Sequence, residues 1–268
     1  MMLSVLVTIP QQLIIRVWNK FTRLPLIGEF TLKGLDKLNG IVFLLQEKIK
    51  KEKKRDELTY FQSLEDYFQF SNEIFGVHQI KSEIISFLKF ANLEQPQHVC
   101  EIGTACGGTN FLLSQSLTSI KLMIGVDLYV KNKSQLQYFS KDSQQVIFIN
   151  GSSYADRTVD KVRSVLADKK LDVLFIDGDH NFDGVKQDFL KYKHLVRDGG
   201  LIVFHDIVSD YLTRYGRQTG RWAGGVPQFW SKIKLLYPHY EFVEDLDQDG
   251  LGIGVIRYSE NISIPENL

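Results

Sequence analysis

The sequence of 268 residues predicts an α/β fold: a doubly wound, seven-stranded, mostly parallel sheet with helices on both faces, preceded by an N-terminal helical arm. Two observations carry this prediction. Short apolar segments typical of buried strands alternate with segments of helical periodicity up to about residue 235, which is characteristic of parallel sheets with helical crossovers. Polar side chains follow five of the predicted strands, at the edge where such sheets bind their ligands.

The N-terminal residues 1–56 are predicted to form the helical arm, and residues 57–268 the main domain. Apolar clusters in the arm are followed by a basic run, Lys48–Arg55. An amphipathic segment with such a run could rest on an anionic membrane surface. Alternatively, the arm packs on the main domain or on a second copy of the chain in a homo-oligomer, with its charges in solvent.

Helical spacing then predicts two helices before the first strand, and further helices between the later strands. The last two strands are expected to close the sheet as a hairpin. The longest loop, Tyr211–Gly225, is rich in glycine and arginine and is the best candidate for a lid. The predicted helices cover about residues 58–75, 82–93, 110–117, 156–167, 184–195 and 226–234. Asp198, Gly199 and Gly200 are expected to stop the fifth of these helices, and the fifth strand is expected to begin at Leu201.

The stretch 99–117 has the order strand, glycine turn, helix, with Glu101 and Gly103 before Gly107 and Gly108. Glycines permit backbone angles that a Cβ forbids and let a ligand approach the main chain closely. The helix that follows offers free N–H groups to a polar ligand. An ordinary tight turn between a strand and a helix would show the same glycines.

The second strand ends in Asp127, 20 residues after Gly107, where a carboxylate can accept both ribose hydroxyls of a nucleoside. The third strand ends in a turn that contains Gly151 and Ser152. Gly103 and Gly107 are four residues apart, which does not match the dinucleotide fingerprint. This mismatch disfavours an NAD-dependent oxidoreductase, which stays as one alternative function. A non-catalytic nucleoside-binding module is the other.

The fourth and fifth strands end in a group of acidic and histidine residues: Asp177, Asp179, His180, His205 and Asp206. Carboxylates at adjacent strand ends can hold a hard divalent cation, which prefers oxygen ligands. A cation there can lower the pKa of a hydroxyl, and a neutral histidine can take the proton. Capping of the following loops would explain any one of these residues alone. Their convergence at adjacent strand ends favours a functional site.

The composition of the chain argues against some classes of protein. The chain has 32 basic and 32 acidic residues, so it lacks the positive charge of a nucleic-acid-binding protein. It contains no uninterrupted apolar stretch of the length that spans a membrane. Its two cysteines, Cys100 and Cys106, flank the glycine turn and are expected to be reduced thiols. These features predict a cytoplasmic protein that acts on a small-molecule partner.

The pattern Glu101-x-Gly103-x-x-x-Gly107, followed by a strand that ends in Asp127, resembles the cofactor site of class I S-adenosylmethionine-dependent methyltransferases. The second half of the chain resembles one branch of them more closely. That branch includes the cephalosporin-biosynthesis "hydroxylase" and the macrolide-sugar O-methyltransferases. The matching segments are 175–180, 184–188, 195–200, 204–206 and 225–230.

The resemblance implies a Rossmann-like methyltransferase fold and transfer of a methyl group to a hydroxyl of a small molecule, expected to be a sugar or a glycosylated metabolite. S-adenosylmethionine is the implied cofactor, with help from a divalent metal, expected to be Mg²⁺. The antibiotic-tailoring members carry a carboxylate where this chain has His205, and imidazole is a poorer ligand for Mg²⁺ than for softer metals. By matching position, the resemblance implies His180 as the general base, Asp177, His205 and Asp206 as metal ligands, and Glu101, Gly103, Gly107, Asp127, Gly151 and Ser152 as cofactor-binding residues.

Overall fold

The computed structural model describes residues 57–265, which form a single seven-stranded sheet with helices on both faces. The strand order is β3-β2-β1-β4-β5-β7-β6. The first five strands run parallel, whereas β7 is antiparallel to both β5 and β6. This confirms the predicted doubly wound sheet and its closing hairpin. The strands are β1 His98–Ile102, β2 Leu122–Asp127, β3 Gln145–Asn150, β4 Leu171–Ile176, β5 Val196–His205, β6 His239–Phe242 and β7 Ile253–Arg257.

Eight α-helices connect or flank these strands within the described residues, and a 3₁₀ turn at Lys193–Leu195 joins the sixth helix to β5. None of the helices in this part of the chain has the length and apolar character needed to cross a membrane. The helices are α1 Leu64–Ile74, α2 Lys81–Leu93, α3 Gly108–Ser116, α4 Lys133–Tyr138, α5 Asp156–Leu166, α6 Phe182–Tyr192, α7 Tyr211–Tyr215 and α8 Val226–Ile233.

The central strands are apolar on both faces because helices cover both sides of the sheet. In β4, Leu174 and Ile176 point to the core shared with α5, α6 and α8. Val173 and Phe175 point to the opposite core, shared with α2 and α3. This alternation follows the two-residue period of a strand, and it explains why β4 reads as a continuous apolar run.

The strand β5 begins at Val196, earlier than its predicted start at Leu201. Gly199 and Gly200, which were expected to stop the preceding helix, lie inside the strand instead. The pairing with β4 shifts register between Leu171 and Val173, so an extra stretch of β5 is accommodated there. Glycines in a strand commonly mark such an irregularity.

The predicted arm over residues 1–56 lies outside the described residues. Its contact with a membrane and its packing on the main domain or a second copy of the chain therefore both stay predictions. Two short helices lie where no helix was predicted. One is α4, in the polar segment after β2, and the other is α7, in the predicted loop Tyr211–Gly225. Both have six residues or fewer, too few to show a helical period in the sequence.

Candidate functional site

A cavity of about 840 Å³ opens at the carboxyl ends of the parallel strands. Its volume is in the range of pockets that bind small molecules. The turns after β1, β2, β3, β4 and β5 all contribute to its wall. Nine of the ten predicted site residues line it: Gly103, Gly107, Asp127, Gly151, Ser152, Asp177, His180, His205 and Asp206.

Two glycines in the turn between β1 and α3 lie in close contact with neighbouring residues. Gly103 has a φ of 92°, and a Cβ at this position would lie 1.8 Å from the carbonyl oxygen of Asp177. Gly107 is the N-cap of α3, also with a φ of 92°, and a Cβ there would lie 2.3 Å from Leu136. Both positions therefore require glycine, and the start of α3 is left open to the cavity.

The carboxylate of Asp127 is held rigidly at the end of β2. Its Oδ2 accepts a hydrogen bond from the Ala105 amide at 2.8 Å, and its Oδ1 accepts one from the Tyr129 amide at 2.8 Å. Burial raises the pKa of Asp127, although these two amides favour the ionised form. Each carboxylate oxygen can accept a second hydrogen bond. Asp127 thus offers a fixed acceptor to a ligand in the cavity.

Glu101 is the predicted site residue that lies outside the cavity lining. It is buried in β1, and its Oε2 accepts a hydrogen bond from Asn110 Nδ2 at 2.9 Å. Burial raises the pKa of Glu101 to about 8. Direct contact between Glu101 and a cofactor stays a prediction.

The ends of β4 and β5 bring two carboxylates and two imidazoles together. His205 Nδ1 lies 3.0 Å from Asp177 Oδ1 and 3.3 Å from Asp206 Oδ2. His180 Nδ1 lies 3.3 Å from Asp206 Oδ2, and its Nε2 lies 4.0 Å from Asp177 Oδ1. Asp206 has a φ of 63°, a left-handed backbone conformation that is costly for a residue with a side chain. Strain of this kind is concentrated at functional sites.

The charges of this cluster balance one another. Burial lowers the pKa of His205, but the negative charges of Asp177 and Asp206 outweigh it and hold the pKa well above its usual value. Burial raises the pKa of Asp206, but His205 outweighs that effect and keeps it low. The imidazolium of His205 therefore lies between two carboxylates.

The same cluster contains the donor set of a cation site. Asp177, His180 and Asp206 each offer a ligand atom, and these atoms lie within 4.8 Å of one another. Nε2 of His205 is buried and has no hydrogen-bond partner among residues 57–265. Two carboxylates with one or two imidazoles suit a divalent cation. Nδ1 of His205 faces both carboxylates, and its role as a ligand stays a prediction.

His180 is fixed by the segment that precedes α8. Its Nδ1 lies 2.7 Å from the carbonyl oxygen of Trp222, and the imidazole stacks on the Trp222 indole with ring centroids 5.7 Å apart. The Gly225 amide donates to the carbonyl oxygen of His180 at 2.7 Å. Since a carbonyl can only accept, Nδ1 carries the proton of the neutral imidazole and Nε2 keeps its lone pair.

Three residues outside the predicted site support it. Gln79 Nε2 donates to Asp177 Oδ2 at 2.9 Å. Trp222 supports His180 as described. Asp210 is fully buried and accepts hydrogen bonds from the amides of Thr213 and Ala223. Gln79 begins the segment 79–83, which resembles the entry to the helix before the glycine turn of class I methyltransferases, and Trp222 is an aromatic residue inside the predicted lid. No sequence signal singles out Asp210.

Part of this chain is similar to known proteins. Residues 100–207 match the family model of a methyltransferase domain. An uncharacterized protein of Acanthamoeba polyphaga mimivirus is 37% identical over 117 residues, which cover 41% of this chain and 51% of that protein. The chain thus spans about half the length of this curated relative.

Solved structures show the same fold at low sequence identity. The O-methyltransferase from Bacillus cereus, solved with SAH, has a TM-score of 0.51 and 14% identity, over 73% of this chain and 90% of its own. MycE from the mycinamycin biosynthetic pathway, solved with Mg, SAH and mycinamycin VI, has a TM-score of 0.51 and 15% identity. That match covers 77% of this chain and 58% of MycE. These similarities confirm the Rossmann-like methyltransferase fold.

Proposed function

We propose that this chain, in which residues 100–207 match the family model of a methyltransferase domain, is a class I S-adenosylmethionine-dependent enzyme that transfers the methyl group to a hydroxyl oxygen of a small molecule. The observation that carries this proposal is the composition of one cavity. Its wall combines a glycine turn and the fixed carboxylate of Asp127 with the carboxylate–imidazole cluster of Asp177, His180, His205 and Asp206. The first part suits a nucleoside, and the second suits a hydroxyl that must lose its proton.

In the cofactor half, Asp127 accepts the ribose hydroxyls, since its carboxylate is already fixed by two backbone amides. The backbone at Gly103 and Gly107 lets the ligand approach closely. Gly151 and Ser152 follow β3 at the same edge and are proposed to contact the adenine ring. The predicted cofactor-binding residue Glu101 lies beneath the cavity and is proposed to hold the start of α3 through the hydrogen bond that it accepts from Asn110.

In the acceptor half, Asp177 and Asp206 are proposed to hold a divalent cation, with His205, whose Nδ1 faces both carboxylates, as the predicted third ligand. The fit rests on the donor set, which is two carboxylates and an imidazole nitrogen within 3.3 Å of both. When bound, a divalent cation would position the acceptor oxygen and lower the pKa of its hydroxyl. The solved structure of MycE contains Mg, which supports this part of the proposal.

His180 is proposed as the general base. Its Nδ1–H donates to the Trp222 carbonyl, so Nε2 is the atom that takes the proton from the acceptor hydroxyl. The acceptor oxygen then forms a bond to the methyl carbon as the carbon–sulfur bond breaks, and S-adenosylhomocysteine leaves. The protein contributes mainly by aligning oxygen, carbon and sulfur, because the sulfonium is already a good leaving group.

The acceptor is proposed to be a sugar or a glycosylated metabolite. Trp222 lines the cavity while 55% of its surface stays exposed, so an indole is available at the mouth beside His180. The apolar face of a sugar ring can pack against an aromatic ring of this kind. Arg221 lines the same part of the cavity and offers hydrogen-bond donors to hydroxyl groups. The mycinamycin VI bound to MycE is consistent with such an acceptor.

The test is titration calorimetry of the full chain with S-adenosylmethionine, S-adenosylhomocysteine and NAD, followed by transfer of labelled methyl to a panel of glycosides with and without a chelator. The expected result is binding of the first two ligands, no binding of NAD, and label on a hydroxyl oxygen that chelation reduces. Binding without transfer to any hydroxyl would support the non-catalytic alternative. Transfer that is unaffected by chelation would remove the metal and leave His180 as a metal-independent base.

A further inference from the structure

Asp177 is held at both carboxylate oxygens. On one side, Oδ1 faces His205 Nδ1 at 3.0 Å. On the other side, Gln79 Nε2 donates to Oδ2 at 2.9 Å. Gln79 comes from the segment before α2, 98 residues away in the chain, and only 5% of its surface is exposed. A buried amide hydrogen bond to a charged oxygen fixes the rotamer of that carboxylate.

The orientation of the Gln79 amide is itself fixed. Thr109 Oγ1, at the start of α3, donates a hydrogen bond to Gln79 Oε1 at 2.7 Å. With Oε1 turned towards Thr109, the NH₂ group is turned towards Asp177. An amide without this hydroxyl could rotate by 180° and place its oxygen against the carboxylate, which would repel it.

The segment that carries Gln79 is seated on α3. The Ser71 hydroxyl donates to the carbonyl oxygen of Gly108 at 2.8 Å. A Cβ on Gly108 would lie 1.9 Å from the carbonyl oxygen of Gly76, so the two backbones are in close contact. Gln79 thus reaches Asp177 from a support that is rigid relative to the glycine turn.

We infer that Gln79 is a positioning residue for metal binding: it aims the carboxylate of Asp177 at the cation, and Thr109 keeps its amide in the orientation that does so. This inference rests on the proposed function, because it requires a cation at Asp177. Hydrogen-bond partners of metal ligands typically contribute about 10–100-fold to metal affinity.

The experiment measures Mn²⁺ affinity by electron paramagnetic resonance on the full chain saturated with S-adenosylhomocysteine. Gln79→Met keeps the length of the side chain and removes the hydrogen bonds, and we expect Mn²⁺ affinity to fall about 10–100-fold. Thr109→Val keeps the shape and removes the hydroxyl, and we expect a smaller fall. Affinity for S-adenosylhomocysteine should change much less than affinity for Mn²⁺ in both variants.

Gln115→Met is the matched control. Gln115 is a buried glutamine on α3 that donates to the Phe139 carbonyl at 2.8 Å and lies outside the cavity lining. The Gln115→Met substitution should lower the unfolding temperature and leave Mn²⁺ affinity unchanged. Equal Mn²⁺ affinity in wild type and Gln79→Met, or an equal loss in Gln115→Met, would overturn the role of Gln79 and leave the proposed function standing. A wild type that binds S-adenosylhomocysteine but no Mn²⁺ would overturn the metal part of the proposed function as well.

Discussion

His205 Nδ1 lies 3.0 Å from Asp177 Oδ1, although 28 residues separate them in the chain. The parallel register of β4 and β5, which pairs Ile176 with Phe204, brings the next residues of both strands side by side. Because the pKa of His205 is well above its usual value, its positive charge offsets part of the negative charge of the cluster. The two carboxylates can therefore remain close together before any cation binds.

Replacement of His180 by alanine tests the general base. We expect turnover to fall by roughly 10²–10⁴-fold, the usual contribution of a positioned base. Affinity for S-adenosylhomocysteine should stay close to wild type, since the proposed nucleoside contacts come from the turns after β1, β2 and β3. Turnover is measured as transfer of labelled methyl to the acceptor.

His239→Ala is the control for this variant. His239 also has its Nδ1 near a backbone carbonyl, that of Tyr237 at 3.3 Å, but it lies on β6 and outside the cavity lining. Turnover in this variant should match the wild type. A His180→Ala enzyme with turnover within threefold of wild type would rule out His180 as the base.

Replacement of Asp127 by alanine tests the cofactor half of the site. We expect the affinity for S-adenosylhomocysteine to weaken by roughly 1–3 kcal/mol, as for the loss of hydrogen bonds to a charged group. Calorimetric titration gives the value directly. Asp172→Ala is the control, because Asp172 also accepts hydrogen bonds from two backbone amides, those of Gln97 and His98. It lies at the amino end of β4, away from the cavity. Equal losses in both variants would show that the effect comes from the fold and not from the nucleoside contact.

Replacement of Glu101 by glutamine tests the buried carboxyl beneath the cavity. Burial raises the pKa of Glu101 to about 8 in the folded protein, above its usual value of 4.5. A raised pKa of an acid means that the folded state favours the protonated form. The resulting stabilisation is complete below pH 4.5 and is lost as the pH rises through about 8.

Glutamine stays neutral over this range, so the Glu101→Gln protein should avoid that loss. Between pH 4 and pH 9, the free energy of unfolding of the wild type should fall by on the order of 4 kcal/mol more than that of the variant. Urea unfolding at pH 4, 6, 8 and 9 measures this difference. Parallel curves for the two proteins would show that Glu101 is ionised at neutral pH in the folded state.

Deletion of residues 1–56 tests the proposed domain boundary. The seven described strands and the described lining of the cavity lie within residues 57–265, so the remaining chain should fold and bind S-adenosylhomocysteine. The proposed roles of the arm are contact with an anionic membrane surface and assembly of a homo-oligomer. Vesicle co-sedimentation and light scattering of both chains distinguish them. A folded, soluble truncated chain that does not bind the cofactor would place the boundary elsewhere.

The site was predictable where the strand pattern determines position. Asp127, Asp177 and Asp206 each follow or end an apolar strand, and the carboxyl ends of parallel strands must meet at one edge. Gln79 was not predictable in the same way, because it follows no strand and its contact with Asp177 depends on how the segment before α2 packs on α3. Tertiary packing of loops leaves no periodic signal in the sequence.

The early start of β5 has a similar cause. A pair of glycines, Gly199 and Gly200, is a common signal for the end of a helix, and the sequence around them fits that interpretation. The structure places both inside a strand, where pairing with β4 and β7 outweighs the local preference. Pairing with neighbouring strands outweighs local sequence preferences when a strand is central and buried.

Asp210 accepts hydrogen bonds from the amides of Thr213 and Ala223 and so joins the two ends of the segment 213–223 into a closed loop. The carbonyl of Trp222, which binds Nδ1 of His180, lies next to the Ala223 end of this loop. Because Asp210 holds the Ala223 amide directly, substitutions between Thr213 and Arg221 are expected to leave the Trp222 carbonyl, and with it the proposed base His180, in place. Arg221 lines the cavity, so such substitutions would change the acceptor preference without moving His180.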